Sequence, residues 1–263
     1  MKTTFVAFSV LAALSTAAFA ADLPAPPANY APVYKAPPPV WSWTGCYVGG
    51  GVGYGVSNVD HNGETIPGNV ATSSSTTSGG RGWLGRVGGG CDIQFPLFSS
   101  WPAVIGLLGD YDFSNISGTT ADPTSGLGGN LNQSSAWYAG ARAGLLPMPN
   151  LLTYVDGGYT GATFDRSNLS TQFTVPPFAT GTSMNSHTFN GWFLGGGTEY
   201  AFNWLPIHGL FWRTEYRYSM YNAADVATVI TATGAPTGFG QHVAPQVQTV
   251  TTSLIWRFNW GNW

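Results

Sequence analysis

Four histidines, two cysteines and a thin set of charges are all the reactive chemistry that this 263-residue chain carries. His61, His187, His208 and His242 fall in segments read below as loops or turns, and none opens an H-x-S pattern. No H-E-x-x-H spacing sets two histidines one helical turn apart to share a metal. The glycine run 88–90 has no Lys after it and no helix pattern behind it, so it is no phosphate cradle. The residues predict no catalytic centre, no metal site and no cofactor. Cys46 and Cys91 leave two alternatives open. Directly opposed on neighbouring strands, their Cα atoms would lie within the roughly 4.4–6.8 Å that a disulfide needs; otherwise they are two unpaired thiols. A bond here would be structural.

The charges are more informative. Residues 210–220 read LFWRTEYRYSM. Leu210, Trp212, Thr214, Tyr216, Tyr218 and Met220 alternate with Phe211, Arg213, Glu215, Arg217 and Ser219, and such alternation is a β-strand with one apolar and one charged face. Seven further alternating segments follow the same rule, near 44–58, 82–95, 103–113, 136–146, 151–164, 190–202 and 248–258. Their polar faces collect Arg86, Asp92, Asp110, Asp112, Arg142, Asp156, Glu199 and Arg257, which join Arg213, Glu215 and Arg217. The opposite faces carry no Lys or Arg. A soluble barrel hides its apolar face and wets the polar one. A membrane barrel inverts this, because Arg or Lys at the bilayer midplane costs about 2–4 kcal/mol.

Composition agrees. Charged residues make up 8% of the chain, against about 25% in soluble domains. Mean hydropathy is only +0.02, and beyond the N-terminus no run approaches the roughly 18 apolar residues of a membrane helix. The net charge of −3 gives no footprint for nucleic acid. Residues 1–20 have the form of a signal peptide, with Lys2, an apolar stretch and Ala18-Phe19-Ala20 as the cleavage site. The proline-dense residues 21–40 are expected to be a periplasmic linker, which leaves 41–263 for the barrel.

Connections alternate between long (59–81, 114–135, 165–188, 221–247) and short (96–102, 147–150, 203–209), as in an outer-membrane barrel. The segment ATSSSTTSGG at 71–80 is expected to be mobile. Aromatic residues gather at the segment ends, with Tyr54, Trp83, Trp137 and Trp192 at one level and Trp43, Trp212, Trp256 and Phe258 at the other. These are expected to be the two interfacial girdles.

The stretches ADLP (21–24), WTGCYVGGGVGYG (43–55), WLGRVGGGCDIQF (83–95), GWFLGGGTEYAF (191–202), RTEYRY (213–218) and LIWRFNW (254–260) resemble the alphaproteobacterial outer-membrane immunogenic, or surface-antigen, β-barrel family. That family is porin-like and similar in shape to the OmpA membrane domain. Cys46 and Cys91 depart from it, standing where its members carry aromatic residues. The expectation is an all-β, eight-stranded, antiparallel, up-and-down transmembrane barrel with a Pro-rich N-terminal arm. It would sit in the bacterial outer membrane, arm in the periplasm and long loops outside. Its partners would be membrane lipid, lipopolysaccharide and, during biogenesis, the barrel-assembly machinery. Two functions fit. The first is narrow, porin-like passage of small hydrophilic solutes or ions together with envelope integrity, favoured by inward glycines beside the charges. The alternative is a non-conducting structural or surface-antigen barrel acting through its loops, favoured by a strand number that leaves an interior just wide enough for side chains.

Overall fold

A computed structural model describes residues 42–98, 101–122, 124–172, 174–202, 204 and 207–258. The expected signal peptide, the linker and the chain end after Phe258 lie outside these residues. Eleven strands form among the described residues: β1 (Gly45–Thr65), β2 (Thr76–Phe98), β3 (Trp101–Ala121), β4 (Leu127–Met148), β5 (Leu151–Phe164), β6 (Ser167–Thr171), β7 (Ala179–Met184), β8 (His187–Ala201), β9 (Leu210–Tyr221), β10 (Ala224–Ile230) and β11 (Pro236–Phe258).

Eight of them, β1-β2-β3-β4-β5-β8-β9-β11, pair antiparallel in sequence, and β11 returns to β1 to close the ring. Closure removes every free strand edge, and with it the row of unpaired backbone groups that an edge exposes. Side chains then alternate strictly. On β9, Phe211, Arg213, Glu215, Arg217 and Ser219 are buried inside, while Trp212, Tyr216 and Met220 are exposed outside. On β3, Leu107 is 70% exposed and its neighbour Leu108 only 6%. An exposed apolar wall around a charged interior is the inverse of a soluble protein.

The segments expected as long loops are largely strand. β1 to β4 and β11 run on well past the aromatic residues at their ends, and β6, β7 and β10 join them. Where β5, β8 and β9 stop, β6 takes over beside β4 (Leu127↔Thr171), β7 pairs with β6 and β10, and β10 pairs with β11 (Asp225↔His242). The strands β1-β2-β3-β4-β6-β7-β10-β11 therefore close a second ring of eight above the first. We call these the lower ring, at the short-turn end, and the upper ring. The extra ring also takes in much of 71–80, since Ala71 bridges Glu64 and β2 starts at Thr76. The reason is backbone accounting. Twenty or so polar residues at each long connection carry as many donors and acceptors, and pairing them edge to edge satisfies them without any hydrophobic signature in the sequence.

Two apolar clusters fill the interior around the charges. Trp43, Tyr47, Val104, Leu146, Leu152, Tyr154, Phe211 and Ile255 close the short-turn end. Leu108, Tyr138 and Phe193 begin a longer cluster that continues through Ile116, Phe164, Phe189 and Val247 to Leu169, Met184, Val226 and Val243 in the upper ring. Tyr138 meets Phe193 edge-on at 5.2 Å, and Phe164 meets Phe189 at 5.5 Å.

Candidate functional site: the lumen of the lower ring

Between the two apolar clusters lie the eleven charges singled out from the sequence, all of them buried. Register sets up several pairs directly. Arg86 is opposite Asp112 on the β2–β3 ladder, and Glu199 is opposite Arg213 on β8–β9. Arg142 meets Asp92 over Gly106, and Arg217 meets Asp156 over Gly195, each across one intervening strand. Arg86 to Glu215 and Arg217 to Asp110 span the lumen, which only closure of the ring allows.

Two networks result. In the first, Arg86 grips Asp112 with two parallel bonds, Nε to Oδ1 at 2.6 Å and Nη2 to Oδ2 at 2.8 Å, and reaches Glu215 Oε1 with Nη1 at 2.5 Å. Arg217 contacts the same Glu215 oxygen at 2.8 Å, Asp156 at 3.0 Å and Asp110 at 2.6 Å. Two guanidiniums thus face four carboxylates. In the second network the balance reverses. Arg142, Arg213 and Arg257 share Asp92 and Glu199. Arg142 holds both oxygens of Asp92, and Arg257 joins Asp92 to Glu199 at 2.7 Å each way. Arg213 binds Glu199 Oε2 through Nε at 3.1 Å and Nη2 at 2.9 Å.

Tyrosines connect the anion-rich and cation-rich halves. The Tyr47 ring has the guanidinium carbons of Arg142, Arg213 and Arg257 at 4.5, 4.6 and 4.9 Å from its centroid. Its negative face offsets charge that two carboxylates leave over. Tyr154 lies against Arg142 and Arg213 and donates its hydroxyl to Glu215 Oε2 at 2.7 Å. Arginine suits these places because its planar fork bonds two carboxylates at once and still stacks on rings.

The inward glycines have a different use from the one expected. A Cβ on Gly88 or Gly106 would collide with the carboxylate of Asp110 or Asp92. At these two positions the carboxylates occupy the space that a side chain would take.

Trp43, expected in an aromatic girdle, is instead fully buried at the short-turn end of the lumen, 5.0 Å from Phe211 and beneath Arg257 at 4.7 Å. The signal was present, because Trp43 shares the inward parity of Tyr47. The other girdle residues, Tyr54, Trp83, Trp137, Trp192, Trp212, Trp256 and Phe258, are on the outer surface. Several stack with an outward neighbour: Tyr54 with Trp83 at 5.2 Å, Trp192 with Tyr218 at 6.1 Å, and Trp256 with Phe258 at 5.0 Å. Cys46 and Cys91 are register partners on β1 and β2 and are joined by a disulfide near the short-turn end.

Comparison with known proteins agrees with this inverted architecture. The 31 kDa outer-membrane immunogenic protein of Brucella melitensis is 29% identical over 208 residues, which are 77% of this chain and 82% of that protein. The Brucella suis counterpart gives the same figures. Among solved structures, Ail of Yersinia pestis is 12% identical, with 80% of this chain and 99% of that one covered and a TM-score of 0.33. OprG of Pseudomonas aeruginosa is 11% identical, with 82% and 97% covered and a TM-score of 0.43. Residues 6–258 match the family described as the outer membrane protein beta-barrel domain. The chain belongs to that family and is a β-barrel protein of the outer membrane.

Proposed function

We propose that this protein is a non-conducting envelope barrel, whose lower ring anchors it in the outer membrane and whose upper ring is the surface it presents outside the cell. One observation carries the reading. The lumen is crossed by a continuous layer of paired charges and rings, between an apolar floor at Trp43, Leu152 and Phe211 and an apolar roof at Leu108, Tyr138 and Phe193. A path for ions needs mobile water along charged walls. Here each guanidinium is held by carboxylates, and an eight-stranded ring has little width left once its side chains are in place.

On this reading the periplasmic arm, the lipid- and lipopolysaccharide-facing wall and the outward direction of the upper ring follow the usual asymmetry of short turns inside and long connections outside. Insertion would depend on the barrel-assembly machinery. No catalytic role is proposed. The name of the Brucella relatives, outer-membrane immunogenic protein, fits a ring displayed to the surroundings.

The test is conductance of the refolded protein in a planar bilayer, beside Arg213→Ala. We expect silence from the wild type. Small, reproducible openings whose ion selectivity changes in Arg213→Ala would overturn this reading in favour of narrow, porin-like passage.

A further inference from the structure

The wall of the upper ring carries a second group of chemistry-bearing side chains, remote from the lumen charges. Asp225 on β10 is opposite His242 on β11, and His242 is opposite Asn62 on β1, with Glu64 two residues further along the same face. These positions are on the outward parity of their strands. From Tyr54 to Glu64, ten residues at roughly 3.3 Å each put the group about 30 Å along β1 beyond the aromatic level, clear of the apolar wall.

We propose that Glu64, Asp225 and His242 bind a divalent transition-metal ion of the zinc type. One ligand atom from each lies within 4.8 Å of the others. Ions of this type bind imidazole nitrogen and carboxylate oxygen at about 2.0–2.2 Å in a tetrahedron, so paired ligands stand about 3.4 Å apart. Side-chain rotations of about 1 Å would bring the three ligand atoms to that spacing. One imidazole among the ligands argues against calcium or magnesium, which take oxygen.

A second observation points to a ligand. Glu64 is 4% exposed, yet its Oε1 is buried and has no hydrogen-bond partner. A buried, unpartnered carboxylate oxygen is costly unless a cation meets it. Asp225 is close enough to add like-charge repulsion. A cation bound between Glu64 and Asp225 would relieve both penalties.

The remaining geometry is prepared. Asp225 Oδ2 accepts a 2.7 Å hydrogen bond from Asn69 Nδ2, which fixes that carboxylate from behind, and Oδ1 lies 2.6 Å from His242 Nδ1. The turn that brings Asn69 across is held by Thr65 N to Val70 O at 3.0 Å and by Ile66 N to Gly238 O at 2.9 Å, tying it to β11. Asp225 and His242 are part-exposed, 31% and 45% by side chain, so the fourth position opens to water.

The experiment is calorimetric titration of Zn2+ into the refolded protein in detergent micelles. One saturable site per chain is expected. His242→Ala and Glu64→Gln should each weaken it at least about tenfold, the lower bound for disturbing even an outer partner of a metal ligand. His208→Ala, at the short-turn end, should bind as the wild type does. Glu64→Gln keeps the side-chain shape, so it reads the site even if His242→Ala fails to refold. No saturable binding by the wild type overturns the proposal. So does wild-type affinity in Glu64→Gln, or loss of binding in His208→Ala.

Discussion

The two rings have the same strand number and share five strands, yet they are filled differently. The lower ring holds five arginines and six carboxylates between apolar caps. The upper ring is filled by Val59, Leu169, Met184, Val226 and Val243, with uncharged Ser, Thr and Gln among them and, among the described residues, His61 and Asp122 as buried titratable groups on its inner side. Their outer walls differ in the opposite sense, apolar and aromatic below, polar above. The lesson concerns solvent. Below, hydrocarbon takes the apolar side chains, so no apolar surplus is left to drive the interior together, and paired charges fill it. On the proposed reading water returns to the outside above, where buried apolar side chains fill the interior as in an ordinary core.

That contrast can be broken most forcefully at Glu199. Glu199→Ala leaves Arg142, Arg213 and Arg257 with one fewer shared acid in a buried layer. Removing one partner of a buried pair costs about 3–5 kcal/mol, to be read in urea unfolding of the protein refolded into vesicles. A loss near zero would mean that water reaches the layer, and the contrast between the rings would fail.

Arginine on the outer wall is the next test. Leu107 lies midway along β3 between Trp101 and Phe113, and Leu107→Arg should cost about 2–4 kcal/mol or block insertion. Asn58→Arg, on the outer wall of β1 four residues beyond Tyr54, should stay within about 0.5 kcal/mol. Equal costs at the two sites would place the solvent boundary elsewhere.

The smallest effect belongs to the upper ring. Burial acts to raise the Asp122 carboxyl, but hydrogen bonds from Thr124, Ser73 and Ser125 outweigh it and hold the group below the ordinary aspartate value of 3.8. A depressed value in the folded state stabilises above the unfolded value and is lost as pH falls through the folded one. Stability of the 122–126 turn should therefore decline only below about pH 4, by roughly 1 kcal/mol, the scale of one such hydrogen bond. Amide exchange near Gly126 and Leu127 would record it, and Asp122→Asn should remove the pH dependence.

Alternation made the lower ring legible. Each Arg and carboxylate of 82–95, 103–113 and 210–220 could be assigned a face from its parity, because successive side chains on a strand point oppositely whatever the strand pairs with. The upper ring was not legible. β6 is SNLST and β7 is ATGTSM, each too short and too polar to show a period, with Leu169 and Met184 as their buried large apolar residues. Trp43 precedes β1 but already follows its alternation, so the inward parity it shares with Tyr47 was there to read.

By itself the sequence determined the strands, their two faces and the inversion of those faces, because all three depend on neighbours one or two residues apart. Only the tertiary structure decided which acid each arginine holds, whether the inward glycines leave space or fill it, and how Glu64, Asp225 and His242 come together. Those outcomes depend on register and ring closure, which join residues such as Arg213 and Glu199, 14 positions apart, and Arg257 and Asp92, 165 apart, and leave no local trace.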